Sequence, residues 1–282
     1  MKTARIYLRE ELRAAWGDRD CFDMVWSLNG EMVRSVANRA TFRTQIGGRG
    51  YYVKRHEGVG WVEIFKNLIT GKSPVLDASN EFRAANRLRA AGIDSLVIAG
   101  FGVRGRNPAR RHSFIVSDEI APVTNLEEVT LRWLESPPSA AVRRGLIGRV
   151  ARIARTMHGL GMYHQDFYLC HLLMDARQPL SESMVGSVPI AVIDLHRAVI
   201  RRGPAQRLLV KDLGALHYSA REIGLTRRDV LRFLRDYFEL PLREALTRYG
   251  PLLAACERRA AQLYAKARRK KILPRQLAGI DE

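Results

Sequence analysis

Residues 164–171 of the chain read HQDFYLCH and form its densest cluster of polar, chemically reactive side chains. They follow a segment, 141–160, whose apolar residues recur at helical spacing. A second acidic residue, Asp194, ends a short β-prone run and comes twenty-eight residues after Asp166. A long helix, a polar loop and a later aspartate at a strand end are the features from which we predict the fold.

This pair of aspartates is suited to phosphoryl transfer. In that reaction one aspartate orients the attacking hydroxyl and accepts its proton, while a second holds Mg²⁺ against the nucleotide phosphates. The loop matches the pattern H-R-D-x-x-x-x-N with two departures. Gln165 replaces the arginine, and His171 replaces the metal-binding asparagine. Because Mg²⁺ prefers oxygen ligands, His171 is predicted either to bind the metal or to contact a phosphate.

The N-terminal part of the chain is predicted to form a β-sheet, with short β-prone runs at 31–36, 41–46, 51–55, 96–103 and 113–116. The sequence GGRG at 47–50 predicts a tight hairpin turn between the second and third of these runs. The third run ends in YYVKR and resembles the V-A-I-K strand whose lysine pairs with nucleotide phosphates. Lys54 is therefore the candidate phosphate-binding lysine.

A helix is predicted over residues 81–91, with Asn80 as its N-cap and Gly92 at its end. In this order of elements, Glu81 in the first turn would hold Lys54 by an ion pair. The loop that covers the phosphates is expected one hairpin earlier, at 37–41.

The predicted phosphate-covering loop contains no glycine, so side chains of the loop would have to contact the nucleotide phosphates. We assign this role to Arg39 and Thr41, which join Lys54 and Glu81 as candidate nucleotide-binding residues.

The fold class predicted from these elements is α+β, with two lobes. Residues 1–120 would form a β-rich N-terminal lobe that grips the nucleotide. Residues 121–282 would form a helical C-terminal lobe that carries the catalytic loop, the metal-binding aspartate and the acceptor site. The linker is placed near 121–125, and breaks between the C-terminal helices are expected near Gly224, Pro241 and Pro251.

The net charge of the chain indicates that its binding partners are anionic. The chain carries 47 Lys and Arg against 29 Asp and Glu, a net charge of +18, which attracts nucleic acid, anionic membranes or phosphorylated substrates. No helix-turn-helix, RNA-binding or zinc signature supports a nucleic-acid partner. A basic run at 266–271 could instead lie against anionic headgroups.

The spacing of the cysteines and the hydropathy of the chain predict its cellular location. The three cysteines are widely spaced and form no C-x-x-C pair, as a reducing cytoplasm permits. The charged N-terminus lacks a signal-peptide pattern, and no run approaches the roughly 18 apolar residues that span a bilayer. We expect a cytoplasmic protein that lies on a membrane surface.

At the level of family, the chain resembles the lipopolysaccharide core heptose(I) kinases of the protein-kinase-like superfamily over about residues 31–240. The resemblance rests on segments 58–68 (GVGWVEIFKNL), 74–75 (PV) with Glu81, 166–171 (DFYLCH), 193–198 (IDLHRA) and 211–213 (KDL). It implies a bilobal protein-kinase-like fold and ATP- and Mg²⁺-dependent phosphorylation of the first inner-core heptose.

The same resemblance implies roles for individual residues. Asp166 would be the catalytic base, Lys54 would grip the nucleotide phosphates, Glu81 would position Lys54, and Asp194 would hold Mg²⁺. His171 in place of asparagine looks normal for this family, whereas Kdo kinases have an asparagine in that loop.

The implied partners are a lipid-anchored lipopolysaccharide core oligosaccharide and the cytoplasmic face of the inner membrane. Some family members associate with acyl carrier protein, and the basic surface would permit the same here. Three alternatives stay open: another small-molecule kinase of this fold, such as a Kdo or aminoglycoside-type phosphotransferase; a non-catalytic scaffold; and a nucleic-acid-binding protein.

Overall fold

The computed structural model describes residues 4–36, 38–69, 74–120, 122–178, 180–203, 205–221 and 223–269. The chain falls into two units. The first, here called the sheet unit, comprises Met1–Ala90, Ser95–Ile120 and Asp194–Arg197. The second, the helical unit, comprises Ala91–Asp94, Ala121–Ile193 and Ala198–Glu282.

The sheet unit is built on a six-stranded antiparallel sheet with the order β1-β5-β6-β4-β3-β2. Its strands are β1 (Ala4–Leu8), β2 (Glu31–Val36), β3 (Arg39–Ile46), β4 (Arg49–Glu57), β5 (Ile98–Arg104) and β6 (His112–Asp118). The five strands predicted from the sequence are confirmed. The edge strand β1 was not predicted.

The turn between β3 and β4 is tight. Ile46 pairs with Arg49, which leaves Gly47 and Gly48 as the two connecting residues. Both glycines adopt positive φ angles, +57° and +77°, a conformation that glycine reaches without a steric penalty. The predicted hairpin turn is confirmed.

Helices cover both faces of this sheet. Helices α1 (Glu10–Trp16) and α2 (Cys21–Ser27) pack on the face where Tyr51 and Val53 of β4 are buried. Because successive side chains of a strand point to opposite faces, Lys54 projects to the other face. There it meets α4 (Ser79–Ala90), which follows the short helix α3 (Gly60–Ile69).

The start of α4 differs from the prediction. The helix begins at Ser79, so Asn80 lies inside its first turn and is not the N-cap. Asp77 provides the capping contact, since its Oδ1 accepts a 2.8 Å hydrogen bond from the backbone N–H of Ser79. Its other oxygen lies 2.6 Å from Nη1 of Arg111, which fixes the carboxylate in this position.

The helical unit contains five α-helices among the residues described: α5 (Leu126–Leu131), α6 (Ala140–Gly159), α7 (Gln206–Ser219), α8 (Arg227–Phe238) and α9 (Leu242–Arg269). Short strands connect them: β7 (Val123–Asn125), β8 (Met162–Tyr163), β9 (Leu172–Asp175), β10 (Ala191–Val192) and β11 (Val199–Ile200). The long helix predicted before the polar loop is confirmed as α6. The loop lies between β8 and β9.

Two of the three predicted helix breaks are confirmed. Helix α7 ends before Gly224, and α8 ends before Pro241. Pro251, however, lies inside α9, so the predicted break there is wrong. Lys266 to Arg269 of the basic run belong to α9, while residues 270 and 271, like residue 121 of the predicted linker, lie outside the described part of the chain.

The helical unit contains a partly open apolar cavity of about 390 Å³. Leu126, Trp133, Val150, Leu213 and Phe233 are among the side chains that line it. Within the described ranges, no helix has both the length and the apolar character needed to cross a membrane.

Candidate active site

An ion pair joins strand β4 to helix α4 in the sheet unit. Nζ of Lys54 lies 2.5 Å from Oε1 of Glu81, whose side chain is completely buried. The other carboxylate oxygen, Oε2, has no hydrogen-bond partner among the described residues. Burying a carboxylate is costly unless it is paired, so the contact with Lys54 compensates for the burial of Glu81.

Asp194 lies beside this ion pair. Its Oδ1 is 4.0 Å from Nζ of Lys54, so the ammonium faces two carboxylates. Burial opposes the charge on Lys54, but the negative charges of Glu81 and Asp194 outweigh that effect and raise the pKa of the lysine. Lys54 is therefore charged throughout the physiological pH range.

The backbone around Asp194 is unusual. Its φ angle is +59°, in the left-handed region that few non-glycine residues adopt. Nδ1 of His196 lies 2.6 Å from Oδ1 of Asp194, and residues Leu195–Arg197 form a short 3-10 turn. Such backbone conformations concentrate at functional sites, where the surrounding structure holds them in place.

Arg39 and Thr41 lie in strand β3 and not in a loop, which corrects the expected position of these two residues. Thr41 is the cross-strand neighbour of Lys54, and Nη2 of Arg39 donates to the carbonyl O of Val75 at 3.1 Å. Burial lowers the pKa of the Arg39 guanidinium, against the attraction of Glu81 and Asp194. Residue 37 of the predicted loop lies outside the described residues.

A buried histidine shares the sheet face with Lys54. His56 is 4% exposed, and its Nδ1 has no hydrogen-bond partner in the described structure. Burial, reinforced by the positive charges of Arg39 and Lys54, lowers the pKa of the imidazole to about 3. His56 is therefore neutral at any pH at which the protein works.

In the helical unit, the polar loop is held by a residue that the sequence did not single out. Asp212 of α7 is completely buried, and its two carboxylate oxygens accept hydrogen bonds from the backbone N–H groups of His164 at 2.7 Å and Gln165 at 2.6 Å. Gln165 has a φ of +71°, so the loop turns sharply just before Asp166. The carboxylate thus fixes the backbone at the turn.

His158 and Tyr237 support Asp212 in turn. Nε2 of His158 lies 3.3 Å from Oδ2 of Asp212, and Nδ1 of the same ring lies 2.8 Å from the hydroxyl of Tyr237. Asp212 occurs in the KDL segment of the family resemblance, which was the available signal. Its function depends on amide groups more than forty positions away, and no local pattern reveals that.

Asp166 and His171 lie together, as their spacing predicted. Nδ1 of His171 donates to the backbone carbonyl O of Asp166 at 2.7 Å, which fixes the orientation of the ring. The rings of His171 and His164 stack with their centroids 5.6 Å apart. The side chain of His164 donates from Nε2 to the carbonyl O of Ile193 at 2.8 Å, and burial lowers its pKa, so it is neutral.

The structure therefore gathers the predicted residues in two groups. The sheet unit brings Lys54, Glu81 and Asp194 together, with Arg39 close enough to feel both carboxylates. The helical unit brings Asp166 to His171. In the described ranges, no group of three or more His, Cys, Asp and Glu side chains is placed to hold a metal ion. Nucleotide-bound Mg²⁺ needs only one or two carboxylates besides phosphate oxygens and water, so the Asp194 carboxylate suits it.

Comparison with known proteins gives consistent results. The model of the lipopolysaccharide kinase (Kdo/WaaP) family matches residues 23–237. The lipopolysaccharide core heptose(I) kinase WaaP of Pseudomonas aeruginosa is 46% identical over 94% of this chain and 98% of its own length. The protein of the same name from Escherichia coli strain K12 is 39% identical over 94% of this chain and 99% of its own.

A solved structure described as WaaP in complex with acyl carrier protein superposes on the chain with a TM-score of 0.79. The two are 42% identical, and the alignment covers 92% of this chain and 99% of the other. The predicted α+β, kinase-like fold class and the predicted family are both confirmed.

Proposed function

Because the chain belongs to the lipopolysaccharide kinase (Kdo/WaaP) family, we propose that it transfers the γ-phosphoryl group of ATP to a hydroxyl of the first inner-core heptose of lipopolysaccharide. Relatives named for this acceptor cover nearly the whole chain at 39% to 46% identity. The observation that carries the reaction type is the contact between Lys54 and the buried Glu81, which a nucleotide-binding lysine requires.

We assign the nucleotide to the sheet unit. Lys54 would contact the phosphates, Glu81 would hold Lys54, and Arg39 and Thr41 would add contacts from the neighbouring strand. Asp194 would hold Mg²⁺, with His171 as a second candidate ligand or phosphate contact. When bound, the metal ion neutralises charge on the phosphate oxygens.

The helical unit would supply the base and the acceptor site. The carboxylate of Asp166 orients the heptose hydroxyl and accepts its proton. The bond from the acceptor oxygen to the γ-phosphorus forms as the bond between that phosphorus and the β,γ-bridging oxygen breaks, and ADP leaves with the electron pair. Hydrogen bonds from two backbone amides to Asp212 support the loop that presents Asp166.

The test is phosphate transfer from ATP with Mg²⁺ to purified inner-core lipopolysaccharide that lacks heptose phosphate. We expect Asp166→Asn to lower kcat by about 10³-fold, because general-base catalysis contributes roughly 10²- to 10⁴-fold. The matched control is Asp175→Asn, an aspartate on the strand after the loop, whose carboxylate pairs with Arg177. Transfer to Kdo in place of heptose would replace the proposed acceptor, and full activity of Asp166→Asn would remove the proposed base.

The proposed working place is the cytoplasmic face of the inner membrane, where a lipid-anchored acceptor is presented. The net charge of +18 supports this, because anionic headgroups attract basic proteins by about 1 kcal/mol for each well-placed Lys or Arg. Vesicle binding that is equally strong on neutral and anionic lipids would contradict an electrostatic attraction.

We also propose acyl carrier protein as a partner, since the solved relative is described in complex with it. An acidic carrier suits a strongly basic chain, and the apolar cavity of the helical unit is chemically suited to an acyl group. Binding to acylated and unacylated carrier should be compared by calorimetry at two salt concentrations. We expect at least about tenfold tighter binding of the acylated form, and equal affinities would exclude the cavity as the acyl site.

A further inference from the structure

Helix α3 exposes an unusual amount of apolar surface. Five of its ten residues are large, apolar and at least about half exposed: Trp61 49%, Val62 84%, Phe65 56%, Leu68 55% and Ile69 85%. Ile64 is the one buried side chain of this helix. A contiguous exposed apolar surface marks an interaction site, because scattered single residues are the norm on ordinary surfaces.

The five exposed side chains share one face. At 100° per residue they occupy an arc of about 120°, with Leu68 and Val62 at its two edges. The polar residues Glu63, Lys66 and Asn67 occupy the opposite arc, where Lys66 lies 3.7 Å from Glu63 and Asn67 donates to it. The helix is therefore amphipathic, and its apolar face points away from the rest of the sheet unit.

Basic residues lie on the turn that contacts this helix. The segment before the helix packs closely on the turn Pro108–Arg110, since a Cβ added to Gly58 would lie 2.7 Å from the carbonyl O of Ala109. Arg106 and Arg110 of that turn region are exposed. Exposed arginines on a turn that contacts an amphipathic helix have the chemistry of a peripheral membrane contact.

We propose that α3 is a membrane-docking helix, which inserts its apolar face into an anionic lipid bilayer at the boundary between headgroups and acyl chains. This inference rests on the proposed function, because a lipid-anchored acceptor would bring the enzyme to that surface. Trp61 and Phe65, whose rings stack with centroids 5.9 Å apart, are the residue types that favour this depth.

A bilayer fits the face better than a second copy of the chain. Two chains of charge +18 repel each other, whereas an anionic surface attracts each of them. A ten-residue helix is only about 15 Å long, and a stable dimer buries roughly 800 Å² on each partner. Insertion of one short face into lipid requires no such area.

The first test is flotation of the full chain with vesicles of phosphatidylcholine and phosphatidylglycerol. The combined variant Phe65→Ser with Ile69→Ser should lower the partition coefficient by more than about tenfold, because it removes two large apolar side chains from the inserted face. The control variant, Met184→Ser with Ile200→Ser, removes two other exposed apolar side chains, 42% and 40% exposed, from the helical unit. Equal vesicle binding by the two variants would overturn the proposal.

The second test reads the depth of insertion. Trp16 and Trp133 are buried and Trp26 is half-buried, so Trp61, which is 49% exposed, is the tryptophan best placed to report contact with lipid. Vesicles with brominated acyl chains should quench wild-type emission, and this quenching should be lost in Trp61→Phe while vesicle binding persists. Quenching that is unchanged in Trp61→Phe would contradict the insertion of α3.

Two further measurements distinguish electrostatic attraction to the vesicle surface from association between two copies of the chain. Arg106→Gln with Arg110→Gln should weaken binding to anionic vesicles, and neutral vesicles should bind the wild type several-fold less well. Wild-type dimers in solution that become monomers in Phe65→Ser with Ile69→Ser, with vesicle binding unchanged, would assign the face to a second copy.

Catalysis distinguishes this proposal from the proposed function. The combined α3 variant should phosphorylate a lipid-free core oligosaccharide as fast as wild type, yet lose at least about tenfold on the same core embedded in vesicles. Failure of wild type on the soluble acceptor would count against the proposed function alone. Equal loss of the variant on both acceptors would overturn the docking role.

Discussion

Oδ1 of Asp212 accepts a 2.6 Å hydrogen bond from the backbone N–H of Gln165, a residue forty-seven positions earlier in the chain. The other oxygen accepts from the N–H of His164. Both contacts are charge-assisted, which makes them stronger than ordinary amide hydrogen bonds. The turn before Asp166 is therefore fixed by helix α7 and does not depend on loop side chains for its position.

Replacing Asp212 by asparagine tests this support. An amide offers one acceptor oxygen where two N–H groups need one each, so one donor is left unpaired in a buried site. We expect the free energy of unfolding to fall by about 2–4 kcal/mol and kcat to fall with it. Urea denaturation and phosphate transfer measure the two effects.

The control for that experiment is Asp236→Asn, which alters a partly exposed aspartate of α8. Its effect on stability should stay below about 1 kcal/mol. If Asp212→Asn were as stable and as active as wild type, the loop would be held by other contacts.

The ion pair between Lys54 and Glu81 makes a second prediction. Lys54→Met removes the cation and leaves a fully buried carboxylate without its partner, which should lower the free energy of unfolding by about 3 kcal/mol. Combining it with Glu81→Leu should restore most of that loss, because no buried charge remains. Thermal and chemical unfolding of the wild type, both single variants and the double variant completes the cycle.

Activity should follow a different pattern from stability in these variants. Both single variants and the double variant should lose ATP binding and phosphate transfer, since the lysine is absent or misplaced in each. A double variant that regained activity along with stability would show that Lys54 does not contact the nucleotide.

The burial of His56 predicts that the free energy of unfolding decreases at acid pH. Its folded pKa of about 3 lies below the ordinary value of 6.5, so the unfolded chain binds a proton between these pH values and the folded protein does not. The contribution of His56 to the free energy of unfolding is therefore present above about pH 6.5 and is lost as the pH falls. The free energy of unfolding should decrease by about 2 kcal/mol between pH 7 and pH 5. His56→Gln should remove this part of the pH dependence.

The measurement is urea denaturation at several pH values, with His112→Gln as the matched control. His112 lies on the neighbouring strand β6 and is exposed, so its imidazole is not trapped in a buried site. A stability slope that is identical in wild type and His56→Gln would contradict the burial argument.

Two helical glycines predict opposite effects of the same substitution. A Cβ added to Gly159, the last residue of α6, meets no atom within 4 Å, so Gly159→Ala should raise the free energy of unfolding by about 0.5 kcal/mol. A Cβ added to Gly214 of α7 would lie 2.6 Å from Cγ of Arg259 and 3.2 Å from the carbonyl O of Cys256. Gly214→Ala should therefore lower it by about 1–3 kcal/mol. Denaturation curves of the two variants suffice, and equal shifts would contradict the close packing of α7 on α9.

Much of the fold was predictable because local signals were strong. The alternating strand around Lys54, the double glycine at its turn and the long amphipathic helix α6 each carry a period that identifies the element. Strand β1 escaped prediction because four of its five residues are exposed on an edge strand, which weakens the alternation of apolar and polar residues. Helix α4 began earlier than predicted because Asp77 competes with Asn80 as the capping side chain and is fixed by Arg111.

The wrong helix break at Pro251 and the missed role of Asp212 both arise from contacts between residues that are distant in the sequence. A proline usually ends a helix, yet here the packing of a 28-residue helix against its neighbours outweighs the lost hydrogen bond. The function of Asp212 lies in contacts with amide groups distant in sequence, which carry no side-chain pattern. Lys54, Glu81, Asp166, Asp194 and His171 were found because a known order of motifs names them, and their catalytic roles stay predictions.

The contacts of Asp212 determine which substitutions this loop can tolerate during evolution. The carboxylate recognises main-chain N–H groups, which every amino acid except proline provides. Position 165 can therefore exchange arginine for glutamine, or accept other residues that tolerate its left-handed backbone, without moving the neighbouring aspartate. The side chain at that position can therefore change in evolution while the backbone that positions Asp166 stays the same.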